Sequence, residues 1–255
     1  MLAAHDLSFS AGPTRILDRV SLTAPAGKVT VLIGPNGAGK STVLKCLTGE
    51  LQPQKGAVTL ADRPLSSIPV SDLALRRAVL PQASALSFPF TVEEVVALGL
   101  RASQRRPEQG HIAQAALERV GMTRHARRLY QTLSGGEQQR VHLGRVLTQV
   151  WEPMSESGPR YLFLDEPTSS LDIRHQIEVL EIAATYARAG GGVVIVLHDL
   201  ELAASYAEHL VVMERGRVVA EGDDADEIIG PDLLQSVYGL NADMIAKRWP
   251  TMMRS

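Results

Sequence analysis

At 255 residues, with 45% hydrophobic and 21% charged residues, the chain suits one large α/β domain or a core carrying a subdomain, and its composition excludes wholesale disorder. Twenty-six Lys and Arg against 28 Asp and Glu give a net charge of −2, which argues against nucleic acid as a partner. The single cysteine, Cys46, excludes an intrachain disulfide and a cysteine-built zinc site, and it suits a reducing compartment.

Residues 1–10 carry Asp6 and lack a basic-then-apolar pattern, so no secretory leader is expected. No stretch approaches the ~20 apolar residues that a membrane span needs. The first clear element is Val29-Thr30-Val31-Leu32-Ile33, a β-branched run that reads as a strand buried on both faces. A helix is expected over 41–47, stopped by Gly49. From Thr91 to Val150 the pattern is helical, with Val92, Val95, Val96 and Gly99 at helical spacing and further helices over 113–120 and 135–150. A loop over 104–110, holding Arg105, Arg106 and Pro107, separates the first two helices. Residues 151–159, rich in Pro, Ser and Gly, read as an exposed loop. Apolar runs at 161–164 and 193–197 read as two more buried strands, and Glu214-Arg215-Gly216 as the turn of a hairpin. The sum is a mainly parallel sheet flanked by helices, interrupted by a helical block with junctions near Gln82 and Arg160.

Three motifs carry chemistry. Gly34-Pro35-Asn36-Gly37-Ala38-Gly39-Lys40-Ser41 follows a strand and opens a helix, the setting of a phosphate-binding loop. Its glycines let successive backbone N–H groups face phosphate oxygens, and the helix start adds partial positive charge. Lys40 would reach the β- and γ-phosphates, and Ser41 would offer a hydroxyl to Mg²⁺. Tyr161-Leu162-Phe163-Leu164-Asp165-Glu166 is a strand ending in two acids. Alone it is as readily a strand emerging into solvent. Beside a phosphate loop, Asp165 can hold the Mg²⁺ shell and Glu166 can polarise an attacking water. Leu133-Ser134-Gly135-Gly136-Glu137 is a capping box, which suffices as an explanation, although two glycines after the cap leave the helix start open to a phosphate.

The three motifs, in this order, resemble those of ABC-transporter ATPase subunits over nearly the whole chain. The resemblance implies an α/β P-loop NTPase (RecA-like) core with a mainly parallel sheet, an antiparallel β subdomain and an inserted α-helical subdomain. Residues 1–82 and 160–255 would form the nucleotide-binding core and 83–159 the helical subdomain. It implies ATP and Mg²⁺ as ligands, with residues 34–41 and Thr42 on the nucleotide and Ser41, Gln82 and Asp165 on the metal. Gln82 matches the glutamine beside the attacking water and the membrane partner. Asp172, after Ser170-Leu171, matches the D-loop, though a helix N-cap explains it equally. His198 matches the histidine that touches the γ-phosphate. With Glu166 and Gln82 it completes the catalytic set. Ser134, Gly135, Gly136 and Glu137 would act on the nucleotide of a second copy.

One departure stands out. Such subunits often stack an aromatic on adenine, where this chain reads Ser10-Ala11-Gly12. Phe9 suits a strand core, and Arg15 is the alternative platform. The stretches 80–82, 88–96 and 144–151 narrow the resemblance to bacterial haem (hemin) importer ATPases, with ferric-siderophore and cobalamin importers as close alternatives. That implies a homodimer, peripheral on the cytoplasmic face of the inner membrane, serving a multi-span permease dimer and, through it, a periplasmic haem-binding protein. A non-transport ABC ATPase is the remoter alternative.

Overall fold

A computed structural model describes residues 1–82, 86, 88–101 and 109–248. Most of the loop expected at 104–110, with Arg105, Arg106 and Pro107, lies outside the described residues. The chain forms two compact units. One holds the described parts of Met1–Pro25, Thr30–Asp62 and Val196–Ser255, the other those of Ala26–Val29 and Arg63–Ile195.

In the first unit, strand Leu2–Ala11 pairs antiparallel with Thr14–Ala24 on one side and Lys55–Leu60 on the other. Leu7 and Leu17 are fully buried between these strands and their neighbours, each worth about 2 kcal/mol on burial. The register shifts within this sheet, and Asp6 and Arg19 lie at φ 49° and 52°. Gly56 occupies a spot where a Cβ would stand 2.2 Å from the His5 carbonyl oxygen. Strand Val29–Ile33 is buried throughout, as expected, and residues 30–33 pair in parallel with 209–212 of strand His209–Glu214. The expected hairpin is present, with Arg217–Gly222 as its second strand. Helix Lys40–Thr48 ends at Gly49, whose φ of 72° closes it in the left-handed conformation.

His209 fastens the hairpin to the antiparallel sheet. Its Nε2 lies 2.9 Å from Glu221 Oε1 and its Nδ1 2.7 Å from Asp223 Oδ1. Glu221 Oε1 also accepts the Thr23 amide and hydroxyl at 2.9 and 2.8 Å.

In the second unit, Arg77–Leu80 pairs in parallel with Tyr161–Asp165, a strand buried along its whole length. Three helices make the block expected here: Val92–Leu98, Gln109–Arg119 and Gly135–Gln149. Small residues let them approach. A Cβ on Gly99 would lie 2.0 Å from the Arg145 carbonyl oxygen. Thr148 Oγ1 donates to the Val96 carbonyl at 2.9 Å, stitching the first helix to the third. Residues 151–159 are not a plain loop. They fold into a short hairpin of Met154–Ser155 and Gly158–Pro159, which composition rich in Pro, Ser and Gly conceals.

Candidate functional site

The phosphate-loop geometry follows from its glycines. Gly34 leaves the buried strand at φ 145°, and a Cβ there would stand 2.0 Å from the Met213 carbonyl oxygen. Gly39, at φ 98°, would put a Cβ 2.9 Å from Leu17 Cδ2. Pro35, Asn36, Gly37 and Ala38 span the turn between them, and the Ala38 amide closes it on the Pro35 carbonyl at 3.1 Å. The Gly216 amide then donates to the Ala38 carbonyl at 3.0 Å, so the hairpin turn braces the loop.

Lys40 is 5% exposed, and its ammonium donates to the Gly34 and Pro35 carbonyls at 2.7 and 3.0 Å. The charge is thus folded across the loop rather than extended into solvent. Ser41 and Thr42 form the first turn of the helix, which has no acidic residue there. That leaves the positive end of the helix dipole unopposed by its own side chains. The cradle is one that added Cβ atoms would fill, with a cation across it, and it fits a polyphosphate. His198, in the same unit, is exposed directly after buried Leu197, whose amide donates to the Leu32 carbonyl at 3.1 Å.

Tyr238 was not singled out by the sequence. Burial pushes its phenol up to about 12, opposed by a hydrogen bond that the hydroxyl oxygen accepts from the Gly34 amide.

In the second unit, Asp165 is buried at the end of its strand and Glu166 follows at φ 50°, the left-handed region. Gln82 Nε2 donates to Glu166 Oε2 at 2.7 Å. The structure therefore brings together two of the three residues expected to be catalytic. Asp172 is the N-cap of helix Ile173–Arg188 and accepts the His175 amide at 3.0 Å. That bond, first among its causes, holds the Asp172 carboxyl below its ordinary value.

Ser134 caps helix Gly135–Gln149 through the expected box. Its hydroxyl oxygen accepts the Glu137 amide, and Glu137 Oε2 accepts the Ser134 amide at 2.8 Å. The same backbone bond lowers the Glu137 pKa. Gly135 has open space around a would-be Cβ, whereas Gly136 packs against Leu171 and Ser170.

The adenine platform suggested by Arg15 is not a bare cation. Arg15 is held 3.2 Å from Asp18, a carboxylate that Arg217 also grips. Phe9 is half-buried opposite Leu17, as its place in a strand suggests.

Among the described residues, no three His, Cys, Asp or Glu side chains gather into a metal cage, and no helix is long and apolar enough to cross a membrane.

The "ABC transporter" family description matches residues 17–169. A hemin import ATP-binding protein, HmuV, of Mesorhizobium japonicum is 48% identical over 93% of this chain and 91% of its own length. Its counterpart in a Chelativorans species is 50% identical over the same shares. Among solved structures, the dimeric bacterial ABC transporter cassette MJ0796 is 25% identical, with a TM-score of 0.76 over 88% of this chain and 98% of that one.

Proposed function

The chain belongs to the ABC transporter family of ATP-binding subunits, and on that premise we propose that it hydrolyses ATP to drive haem import through a separate membrane permease. The observation that carries the enzymatic part is the glycine cradle with buried Lys40 folded across it. The haem assignment rests on the hemin import proteins to which the chain is nearly half identical.

In this reading the backbone amides of residues 34–41 and the Lys40 ammonium hold the β- and γ-phosphates, with Thr42 beside them. Ser41, Asp165 and Gln82 would hold Mg²⁺, which when bound neutralises phosphate charge. Glu166 takes the proton of the attacking water as general base. Gln82, bonded to the same carboxylate, keeps it aimed. His198 donates to the γ-phosphate.

In this reading two copies pair head to tail, a pairing supported by the dimeric state of the similar cassette MJ0796. Ser134, Gly135, Gly136 and Glu137 of one copy then close on the triphosphate held by the other, while Asp172 lines the shared face. Hydrolysis removes the bridging phosphate, and the lost affinity between copies is what does work on the permease. The protein would sit peripherally on the cytoplasmic face of the inner membrane, with a periplasmic haem-binding protein delivering cargo to the far side.

Reconstitution with the cognate permease in lipid tests the substrate. A haem-loaded binding protein should stimulate ATP hydrolysis. Stimulation by a ferric-siderophore or cobalamin carrier, with none by haem, would overturn the haem assignment and leave the ATPase standing.

A further inference from the structure

The hydrolytic reading leaves one well-connected side chain of the second unit without a role. Gln139 lies one turn into helix Gly135–Gln149. Its amide nitrogen donates to the Pro167 carbonyl at 2.7 Å and, more weakly, to the Glu166 carbonyl at 3.4 Å. Its amide oxygen accepts the Ser170 hydroxyl. Both ends of one side-chain amide are thus engaged on a single stretch, residues 166–170.

That stretch needs fastening. Glu166 sits at φ 50°, a backbone region that a residue with a Cβ adopts only when its surroundings impose it. Its carbonyl accepts the Ser169 amide at 3.3 Å and the Ser169 hydroxyl at 3.2 Å, in addition to the bond from Gln139. The two Ser169 bonds come from within the turn itself. Gln139 is the one of these donors that arrives from another element.

The helix face that carries Gln139 also carries Gly136, three residues earlier. A Cβ at 136 would stand 3.2 Å from Leu171 Cδ2 and 3.3 Å from the Ser170 carbonyl oxygen. The start of the helix therefore rides directly on the segment after Glu166. Its first turn is rigid, because Ser134 and Glu137 cap each other. The Glu166 carboxylate is held from the opposite end of the residue by Gln82. Gln139 thus acts on the backbone of the base and Gln82 on its carboxylate.

We propose that Gln139 is a positioning residue for Glu166, holding the strained backbone of the base and tying the Ser134 end of its helix to the hydrolytic step within one copy. Anything that engages Ser134, Gly135 and Gly136 shifts the Gln139 amide, and with it the carbonyls of Glu166 and Pro167. The inference rests on the reading of Glu166 as the base.

Steady-state ATP hydrolysis by the full chain with Mg²⁺ tests it. Gln139→Leu should lower kcat about tenfold, with KM for ATP within about twofold and an unchanged thermal midpoint. Gln139→Glu keeps an acceptor for Ser170 but loses both donors, so it should be as slow as Gln139→Leu. Combined with Glu166→Gln, which removes the base, Gln139→Leu should slow the residual turnover no further. A wild-type kcat in Gln139→Leu would overturn the proposal. So would a loss that multiplies with Glu166→Gln, or one that comes with a raised KM and a lowered midpoint. Absence of any ATP hydrolysis by the unmodified chain would overturn the reading of Glu166, and this inference with it.

Discussion

Gln82 Nε2 donates to Glu166 Oε2 across 2.7 Å, joining residues 84 positions apart in the chain. One end of this bond follows a strand, Arg77–Leu80, that runs parallel to the strand ending at Asp165. Parallel pairing brings the C-terminal ends of both strands to the same edge, so the two side chains emerge together. The bond gives the Glu166 carboxylate a fixed orientation, which is what its proposed role as general base requires.

Gln82→Ala should therefore leave ATP affinity measured without Mg²⁺ close to wild type and lower kcat about tenfold, the scale of one charge-assisted hydrogen bond lost from the proposed base. Isothermal titration with ATP and a steady-state hydrolysis assay separate the two. Weakened binding with unchanged kcat would place Gln82 on the substrate rather than on the base.

The phosphate loop makes a contrast between fold and function. Gly34→Ala forces a Cβ to within 2.0 Å of the Met213 carbonyl oxygen at a φ of 145°, so unfolding free energy should fall by at least about 2 kcal/mol. Lys40→Ala removes two hydrogen bonds to loop carbonyls but no backbone support. Its chief effect should be on nucleotide affinity, weakened at least about tenfold. Urea denaturation should rank Gly34→Ala well below Lys40→Ala, while ATP titration of Lys40→Ala should show weakened binding by a chain that remains folded.

The hydrogen bond to Glu221, then that to Asp223, raises the His209 pKa above 6.5, against burial that lowers it. Burial raises the Glu221 pKa, but hydrogen bonds from His209 and Thr23 outweigh it and leave it lowered from 4.5. For a base with a raised folded pKa, stabilisation is complete below 6.5 and is lost as pH climbs through the folded value. For a lowered carboxyl, stabilisation is present above 4.5 and is lost as pH falls through the folded value. The His209–Glu221 staple should be strongest between these limits. His142 works the other way: burial depresses it to about 4, so its contribution weakens as pH falls below 6.5. Urea unfolding of wild type and His209→Gln across pH 5–9 isolates the staple. The stability difference should be largest at the acidic end and shrink above pH 6.5; a gap that widened with pH would refute the assignment.

Much of this site was legible in the chain because its chemistry demands particular residues at short spacing. The loop from Gly34 to Ser41 needs glycines where Cβ atoms would collide with Met213 and Leu17. Ser134 and Glu137 announce a capping box by spacing alone, and the box is there. What was hidden depends on contacts between distant residues. Gln139 meets Ser170 and Pro167 only once the helix is laid on the turn after Glu166. The strands Leu2–Ala11, Thr14–Ala24 and Lys55–Leu60 escape a periodicity reading because register shifts and positive-φ residues at Asp6 and Arg19 break their alternation. The ion pair of Arg15 with Asp18, three residues on, was hidden for a comparable reason, since it depends on the backbone path that brings them together.

The claim that ATP is clamped between two copies and cleaved through Glu166 is tested most directly with Glu166→Gln. Its mass in solution, measured by light scattering with and without Mg²⁺ and ATP, should double on adding nucleotide, with one ATP retained per chain and hydrolysis reduced by about a hundredfold or more. A variant that binds ATP, stays monomeric at every concentration and turns over at the wild-type rate would contradict it.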